Sequence, residues 1–156
     1  AANKSLFGHI HALTGTGYHL TIIGQPNAED MTHLQASGLS FDIRTGLTEE
    51  QMQAAYAEST ALLFCSHLEG FGMPILEAQT IGVPFITSHL DPMPHVAGEG
   101  ALFCDPNRPE DIRKQLKKVL EDDALRAALI QRGKANAQRF NPEQAVAAHK
   151  AVYSAL

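Results

Sequence analysis

Residues 65–84 read CSHLEGFGMPILEAQTIGVP, and this stretch decides the fold of the chain. An apolar run directly before it predicts a short buried strand. A glycine turn follows, and Pro74 suits the first turn of a helix because its missing N–H has no partner there in any case. A strand, a glycine turn and a helix in this order present backbone N–H groups to an anionic ligand in α/β proteins. Glu69 in the loop and Glu77 about one turn into the helix could therefore face one ligand.

Strand-like and helix-like segments alternate along the rest of the chain. Short apolar and β-branched runs predict strands at 19–24, 41–45, 61–65, 85–87 and 101–104. Helical spacing predicts helices at 3–13, 29–36, 48–58, 73–81, 110–121 and 122–140, with another from 141 onward and one helical turn near 95–96. Buried parallel strands joined by helices form an α/β fold, so we expect a Rossmann-like three-layer arrangement with helices on both faces of a parallel sheet.

The order of these elements is unusual at the start of the chain. The pattern opens on a helix, whereas a doubly wound domain normally opens on a strand. We therefore expect residues 1–156 to be one domain that lacks its first strand and a preceding domain.

Composition excludes several functional classes. The 156 residues carry a net charge of −5, which gives no basic surface for nucleic acid, and no apolar run reaches membrane-spanning length. The P-loop and nucleophile-elbow motifs are absent, and the eight histidines lack the spacings of a metal site. Cys65 and Cys104 end apolar runs, which predicts buried free thiols in a reducing compartment. We expect a cytoplasmic domain without a metal or another cofactor.

The chemistry around the glycine turn leaves two interpretations open. Glu69 and Glu77 could form a general acid–base pair, or they could be two solvated acids. A glutamate at a helix start accepts hydrogen bonds from sugar hydroxyls, and the N–H groups of the turn suit phosphate. His67, two residues before Glu69, lies near the ligand in this interpretation and is an ordinary loop histidine in the other. Carboxylates that suit sugar hydroxyls beside N–H groups that suit phosphate favour a nucleotide-sugar site.

The full motif resembles a known family. The pattern E-G-F-G-x-P-x-x-E at 69–77, followed by A-x-x-x-G-x-P, is similar to the retaining GT-B glycosyltransferases of the glycogen-synthase-like and mannosyltransferase-like group. The resemblance covers nearly the whole chain. It includes Lys4 at the first helix, the turn at Gly24, the loop around Leu47 and the segment 94–98.

The resemblance implies that this chain is the C-terminal, donor-binding half of a GT-B enzyme. By this resemblance Glu69 lies against the donor sugar as the catalytic residue. The implied donor-binding residues are Lys4 on the diphosphate, Gly24 in its turn, Leu47 near the base, His67, the glycine turn Gly70, Phe71 and Gly72 on sugar and phosphate, and Glu77 on the ribose.

The implied reaction is the transfer of a hexosyl group, with retention and without a metal. The donor is a nucleotide-diphosphate sugar, and the acceptor is a glycan or lipid-linked sugar bound by the missing N-terminal domain, which could hold the enzyme at the inner membrane face. The family's arginine before the lysine has no match, and His95 replaces a usual glutamate. We therefore expect the isolated chain to be inactive. The alternatives are a non-catalytic nucleotide-sugar binding module and a GT-B-fold sugar-nucleotide 2-epimerase.

Overall fold

The computed structural model describes residues 6–140. Its helices are α1 Leu6–Leu13, α2 Ala28–Ala36, α3 Glu49–Glu58, α4 Met73–Ile81, α5 Met93–Ala97, α6 Pro109–Glu121 and α7 Asp123–Ala137. Its strands are β1 His19–Ile23, β2 Ser40–Arg44, β3 Leu62–Phe64, β4 Phe85–Ser88 and β5 Leu102–Cys104. The helix predicted from residue 141 onward lies outside the described residues. No helix in the described part of the chain is both long enough and apolar enough to cross a bilayer.

The strands run parallel and form two sheets. β1 pairs with β2 in register from His19 opposite Ser40 to Ile23 opposite Arg44, and β4 lies between β3 and β5. The predicted parallel arrangement is confirmed, but within residues 6–140 no ladder joins β1 to β3. Residues of both strands instead line a cavity of about 760 Å³. Each of these two strands therefore has one open edge in the described part of the chain.

Helices cover both faces of the three-stranded sheet. On one face Phe85 of β4 packs with Ile75 of α4 and Val96 of α5. On the other face its neighbour Ile86 packs with Ile112 of α6. Because successive side chains of a strand point to opposite faces, these two clusters lie on opposite sides of the sheet. The predicted α/β Rossmann-like layering is confirmed.

Local signals set the starts of the two helices nearest the glycine turn. Thr48 caps α3 in a capping box. The backbone N–H of Gln51 donates to the Thr48 hydroxyl at 3.2 Å, and the backbone N–H of Thr48 donates to Oε1 of Gln51 at 2.9 Å. Gly72 caps α4 with a φ of 90°, a conformation that favours glycine, and Pro74 follows in the first turn.

Two predicted segments differ in extent. The helical turn near 95–96 belongs to the five-residue helix α5. The helix predicted to reach residue 140 ends at Ala137, and a 3₁₀ turn continues over Gln138–Phe140. Such turns commonly tighten the last turn of an α-helix, which is why the helical spacing of the sequence runs past the true end.

A buried polar pair joins α7 to α4 and α5. Asn136 donates from Nδ2 to Oε1 of Gln79 at 2.8 Å and to the carbonyl of Val96 at 2.7 Å. Gln79 in turn donates from Nε2 to the carbonyl of Ala97 at 2.8 Å. Both side chains are buried, so these hydrogen bonds replace those that water would make.

The two cysteines are free and buried, as predicted. The Sγ atoms of Cys65, just after β3, and Cys104, at the end of β5, lie 3.1 Å apart. Their contact raises the pKa of the Cys65 thiol, and burial raises it further. The Cys65 thiol is therefore kept in its neutral form.

Candidate functional site

Within the described residues, the predicted site residues other than Glu77, which belongs to α4, lie in loops that follow the carboxyl ends of strands. Gly24 directly follows β1, and its N–H donates to the carbonyl of Arg44 at the end of β2 at 2.9 Å. Leu47 lies in the loop after β2, and residues 65–72 form the loop after β3. In parallel α/β sheets ligands bind at this edge.

Glu69 is held by one hydrogen bond from within its own loop. The hydroxyl of Ser66, which is 2% exposed, donates to Oε1 of Glu69 at 2.8 Å. Among the described residues no hydrogen-bond partner is found for Oε2 of Glu69. Within residues 6–140, one carboxylate oxygen of Glu69 is thus fixed by Ser66 and the other has no hydrogen-bond partner.

Glu77 is held by a tyrosine from the neighbouring helix. The hydroxyl of Tyr56 in α3 donates to Oε2 of Glu77 in α4 at 3.2 Å. Burial raises the pKa of Tyr56 to about 12, and the negative charge and hydrogen bond of Glu77 contribute further. Tyr56 therefore remains a neutral donor at physiological pH and orients the exposed carboxylate of Glu77.

A cavity of about 250 Å³ between α3 and α4 brings two predicted site residues together. It is lined by Leu47, Thr48, Glu49, Met52, Gln53, Tyr56, Glu77 and Ile81. Sites for whole drug-sized ligands usually span 300–1,000 Å³, so this cavity has room for a part of a ligand such as a base and its ribose. Leu47 supplies an apolar contact, and Glu77 supplies hydrogen-bond acceptors on the same cavity.

The other predicted residues line neither of the two cavities described above. These are Gly24, His67, Glu69 and the glycine turn Gly70, Phe71 and Gly72. The structure thus brings Leu47 and Glu77 together on one solvent-open cavity, whereas the loop containing Glu69 does not line it.

The glycine turn leads directly into α4. The first N–H groups of a helix have no partner inside the helix, and its macrodipole places partial positive charge there. Leu68, Phe71 and Met73 beside this turn are 60%, 42% and 55% exposed. The turn therefore combines groups that suit an anion with an apolar rim.

His67 is engaged by the loop after β5. One of its ring nitrogens lies 2.8 Å from Oδ1 of Asn107. Asp105 fixes Asn107 by accepting from its backbone N–H at 2.9 Å and from Nδ2 at 3.2 Å. These contacts connect the Glu69 loop to the neighbouring loop, and contact between His67 and a donor stays a prediction.

Two further predictions concern the edges of the site. Lys4 lies outside the described residues, so its place beside the diphosphate also stays a prediction. Within residues 6–140, no three histidine, cysteine, aspartate or glutamate side chains are grouped so that they could hold a metal ion.

Sequence reasoning missed the residues that orient these side chains. Tyr56 precedes Glu77 by 21 positions, and Asn107 follows His67 by 40. Ser66 is only three residues from Glu69, but no spacing rule for loops indicates that hydrogen bond. Tyr56 and Asn107 can be identified as partners only once the fold brings their elements next to Glu77 and His67.

Comparison with known proteins agrees with this fold. The sequence profile of the family described as "Glycosyl transferases group 1" matches residues 4–136. The O-antigen chain mannosyltransferase B of Escherichia coli is 37% identical over 95 residues, which are 61% of this chain and 25% of that protein. This chain thus spans about a quarter of the length of that curated relative.

Solved structures share the fold at low sequence identity. Sucrose-phosphate synthase from Thermosynechococcus elongatus has a TM-score of 0.86 at 19% identity, over all of this chain and 44% of that one. The C-terminal domain of a glycosyl transferase group 1 protein from Francisella tularensis has a TM-score of 0.77 at 20% identity. That match covers 90% of this chain and 80% of the other.

Proposed function

Because this chain belongs to the group 1 glycosyl transferases, we propose that it is the donor-binding domain of a nucleotide-sugar-dependent hexosyltransferase. The observation that carries the proposal is the cavity that Leu47 and Glu77 line together between α3 and α4. The base of the donor packs against Leu47, and the ribose hydroxyls donate to the carboxylate that Tyr56 orients.

The diphosphate and the sugar occupy the rim beside this cavity. The diphosphate lies against the glycine turn and the start of α4, where N–H groups and the helix dipole favour negative charge. Lys4, outside the described residues, and Gly24 complete the diphosphate side. The sugar then reaches Glu69, whose Oε2 faces no partner within the described part of the chain, and His67 borders it.

These proposed placements support a transfer of the donor sugar to an acceptor. In the proposed transfer the bond between the anomeric carbon and the diphosphate breaks, that carbon bonds to the oxygen of an acceptor hydroxyl with retention, and the hydroxyl proton passes to the departing diphosphate. Negative charge develops on the departing diphosphate, and oriented N–H groups stabilise such charge more strongly than they stabilise the ground state. No metal or other cofactor is part of the proposal, and the two buried free thiols are in keeping with a cytoplasmic setting.

The donor sugar is proposed from the relatives. The Escherichia coli relatives are described as an O-antigen chain mannosyltransferase and as serotype-specific mannosyltransferases. We therefore place mannose first among the candidate hexoses. The acceptor, a glycan or a lipid-linked sugar, is bound by a preceding domain.

The first test is binding of a panel of UDP, GDP and ADP sugars to the 156-residue chain, followed through its backbone amide NMR shifts. We expect one nucleotide series to shift the amides of Leu47 and of residues 70–77. Glu77→Gln is expected to require about tenfold more nucleotide for the same shifts, whereas Glu121→Gln, which changes an exposed carboxylate at the end of α6, should leave the titration unchanged.

The outcome also separates the alternatives. Binding without sugar transfer in a longer chain that includes the preceding domain would support a binding module, and an epimerised sugar nucleotide would support a 2-epimerase. If no nucleotide shifts these amides in either the short or the longer chain, the proposed donor site is wrong.

We further propose that a strand from the segment preceding this chain fills the space between β1 and β3. Each strand pairs on one side only within residues 6–140, and residues of both line the 760 Å³ cavity. Unpaired strand edges readily accept another strand, because their N–H and C=O groups need partners. A parallel strand there would join the two sheets and lead through α1 to β1 as a β-α-β unit.

Hydrogen exchange tests this arrangement. In a chain extended at its N-terminus, the outward amides of β1 and β3 are expected to exchange at least about tenfold more slowly than in the 156-residue chain. Amides of β5, on the far side of the sheet, serve as the control. Equal exchange of the β1 and β3 amides in both chains would exclude the proposed strand.

A further inference from the structure

We infer that His9 in α1 is a positioning residue for the loop that carries Glu69. The importance of that loop rests on the proposed function, whereas the contact itself does not. No pattern around His9 in the sequence points to such a role.

The contact is a hydrogen bond between two distant parts of the chain. The backbone N–H of Cys65 donates to Nε2 of His9 at 3.2 Å, across 56 positions of sequence. Cys65 lies one residue beyond β3 and shares a core cluster with Ala12 and Leu13 of α1. The helix is thus packed against the end of β3 at the point where the Glu69 loop begins.

This N–H lies beyond the β3–β4 ladder, whose last pair is Phe64 opposite Thr87. Cys65 is 2% exposed, so water has little access to its amide. A buried backbone donor needs an acceptor, and leaving it without one is unfavourable. The imidazole of His9 supplies that acceptor.

The role of acceptor fixes the chemical form of the ring. A ring nitrogen that accepts a hydrogen bond carries no proton, so the imidazole is neutral and its proton is on Nδ1. An imidazolium offers only donors and could not hold this amide. The structure therefore requires one tautomer of His9.

The Cys65 peptide connects the His9 hydrogen bond to Glu69 through the next residue, Ser66. Cys65 is followed by Ser66, whose buried hydroxyl donates to Oε1 of Glu69 at 2.8 Å. Any shift of the Cys65 peptide moves Ser66 and with it the carboxylate. His67, the next residue, is held on its other side by Asn107. His9 of α1 thus holds the loop at Cys65, and Asn107 of the loop after β5 holds it two residues later at His67.

Two substitutions of His9 distinguish the effect of losing the hydrogen-bond acceptor from the effect of changing the ring. His9→Phe retains an aromatic ring but removes the acceptor. His9→Gln retains an acceptor oxygen at about the reach of Nε2 and is expected to restore the contact. His11→Phe is the matched control, because His11 is exposed on the same helix and its ring contacts Phe7 at 4.1 Å between centroids.

The measurements are made first on the unliganded 156-residue chain by NMR. In the wild type, the long-range ¹H–¹⁵N spectrum is expected to show a His9 ring protonated at Nδ1. In His9→Phe, exchange of the Cys65 amide is expected to accelerate roughly three- to tenfold, as for the loss of one hydrogen bond, and the side-chain carboxyl signal of Glu69 is expected to shift. His9→Gln and His11→Phe are expected to resemble the wild type in both signals.

A wild-type ring protonated at Nε2 would overturn the inference, even if His9→Phe did not fold. So would a His9→Phe chain whose Cys65 and Glu69 signals match those of the His11→Phe control. The donor titration is then repeated on each variant, with an expected weakening of roughly three- to tenfold for His9→Phe alone. Absence of donor binding in the wild type counts against the proposed function, and the two loop signals still decide the role of His9.

Discussion

Replacing Gly100 by alanine is expected to lower the free energy of unfolding by about 3 kcal/mol, because the added methyl group has no space. A Cβ at this position would lie 2.4 Å from Cα and 2.7 Å from N of Gly133 in α7. It would also lie 2.6 Å from Nε2 of Gln79, which forms the buried pair with Asn136. Two of these three atoms are backbone, so relief requires moving α7 and disturbing that pair.

Urea unfolding followed by circular dichroism measures the effect. Gly70→Ala is the matched control, because a Cβ there meets nothing within 4 Å and its φ does not favour glycine, so we expect a change within about 0.5 kcal/mol. Gly133→Ala should fall between the two, since its Cβ would meet mainly the Gln79 side chain at 3.0 Å. Equal urea midpoints for Gly100→Ala and Gly70→Ala would refute the close packing of α7 against the 3₁₀ turn Gly98–Gly100.

In a longer chain that also carries the acceptor-binding domain, Glu69→Gln and Glu77→Gln are expected to affect different kinetic constants. Under the proposed function, Glu69 acts where charge develops during transfer, so its loss is expected to lower kcat by about 100-fold or more. Glu77 holds the ribose equally in ground and transition states, so its loss is expected to raise the donor KM about tenfold with little change in kcat.

Initial rates of sugar transfer at varied donor concentration measure both constants. Tyr56→Phe is a graded control, because it removes only the hydrogen bond that orients Glu77 and should raise the donor KM about threefold. A Glu69→Gln enzyme with unchanged kcat and a raised KM would show that Glu69 only binds the donor. An unchanged KM in Glu77→Gln would remove Glu77 from the ribose site.

The parts of the fold that the sequence predicted well are set by neighbouring residues. The capping box of Thr48 and Gln51 and the Gly72–Pro74 start of α4 depend on contacts three residues apart or fewer. The division of the strands into two sheets was not predicted. Strand neighbours are decided by long-range pairing, and short apolar runs such as 19–24 and 61–65 carry no information about which of them become adjacent.

The candidate site likewise has a part that the sequence predicts and a part that depends on long-range contacts. The motif around Glu69 and Glu77 is continuous in sequence and was identified directly. The groups that orient it come from other elements, Tyr56 from α3 and His9 from α1, and their contacts span 21 and 56 positions. A tyrosine and a histidine on amphipathic helices have no feature in sequence that distinguishes them from ordinary core or surface residues.

The two-sheet arrangement has a consequence for how the molecule loses its structure. β1 and β2 rest on a small cluster centred on Ile10, Ile22 and Leu34, whereas the three-stranded sheet is packed on both faces. Sub-global opening is therefore expected to begin with the β1–β2 unit, which carries Gly24 and leads to Leu47. A donor that contacts both Leu47 and Glu77 would link the less stable β1–β2 unit to the more stable three-stranded sheet. Its binding free energy would then appear as suppressed opening of β1 and β2, so ligand affinity and local unfolding would be coupled quantities.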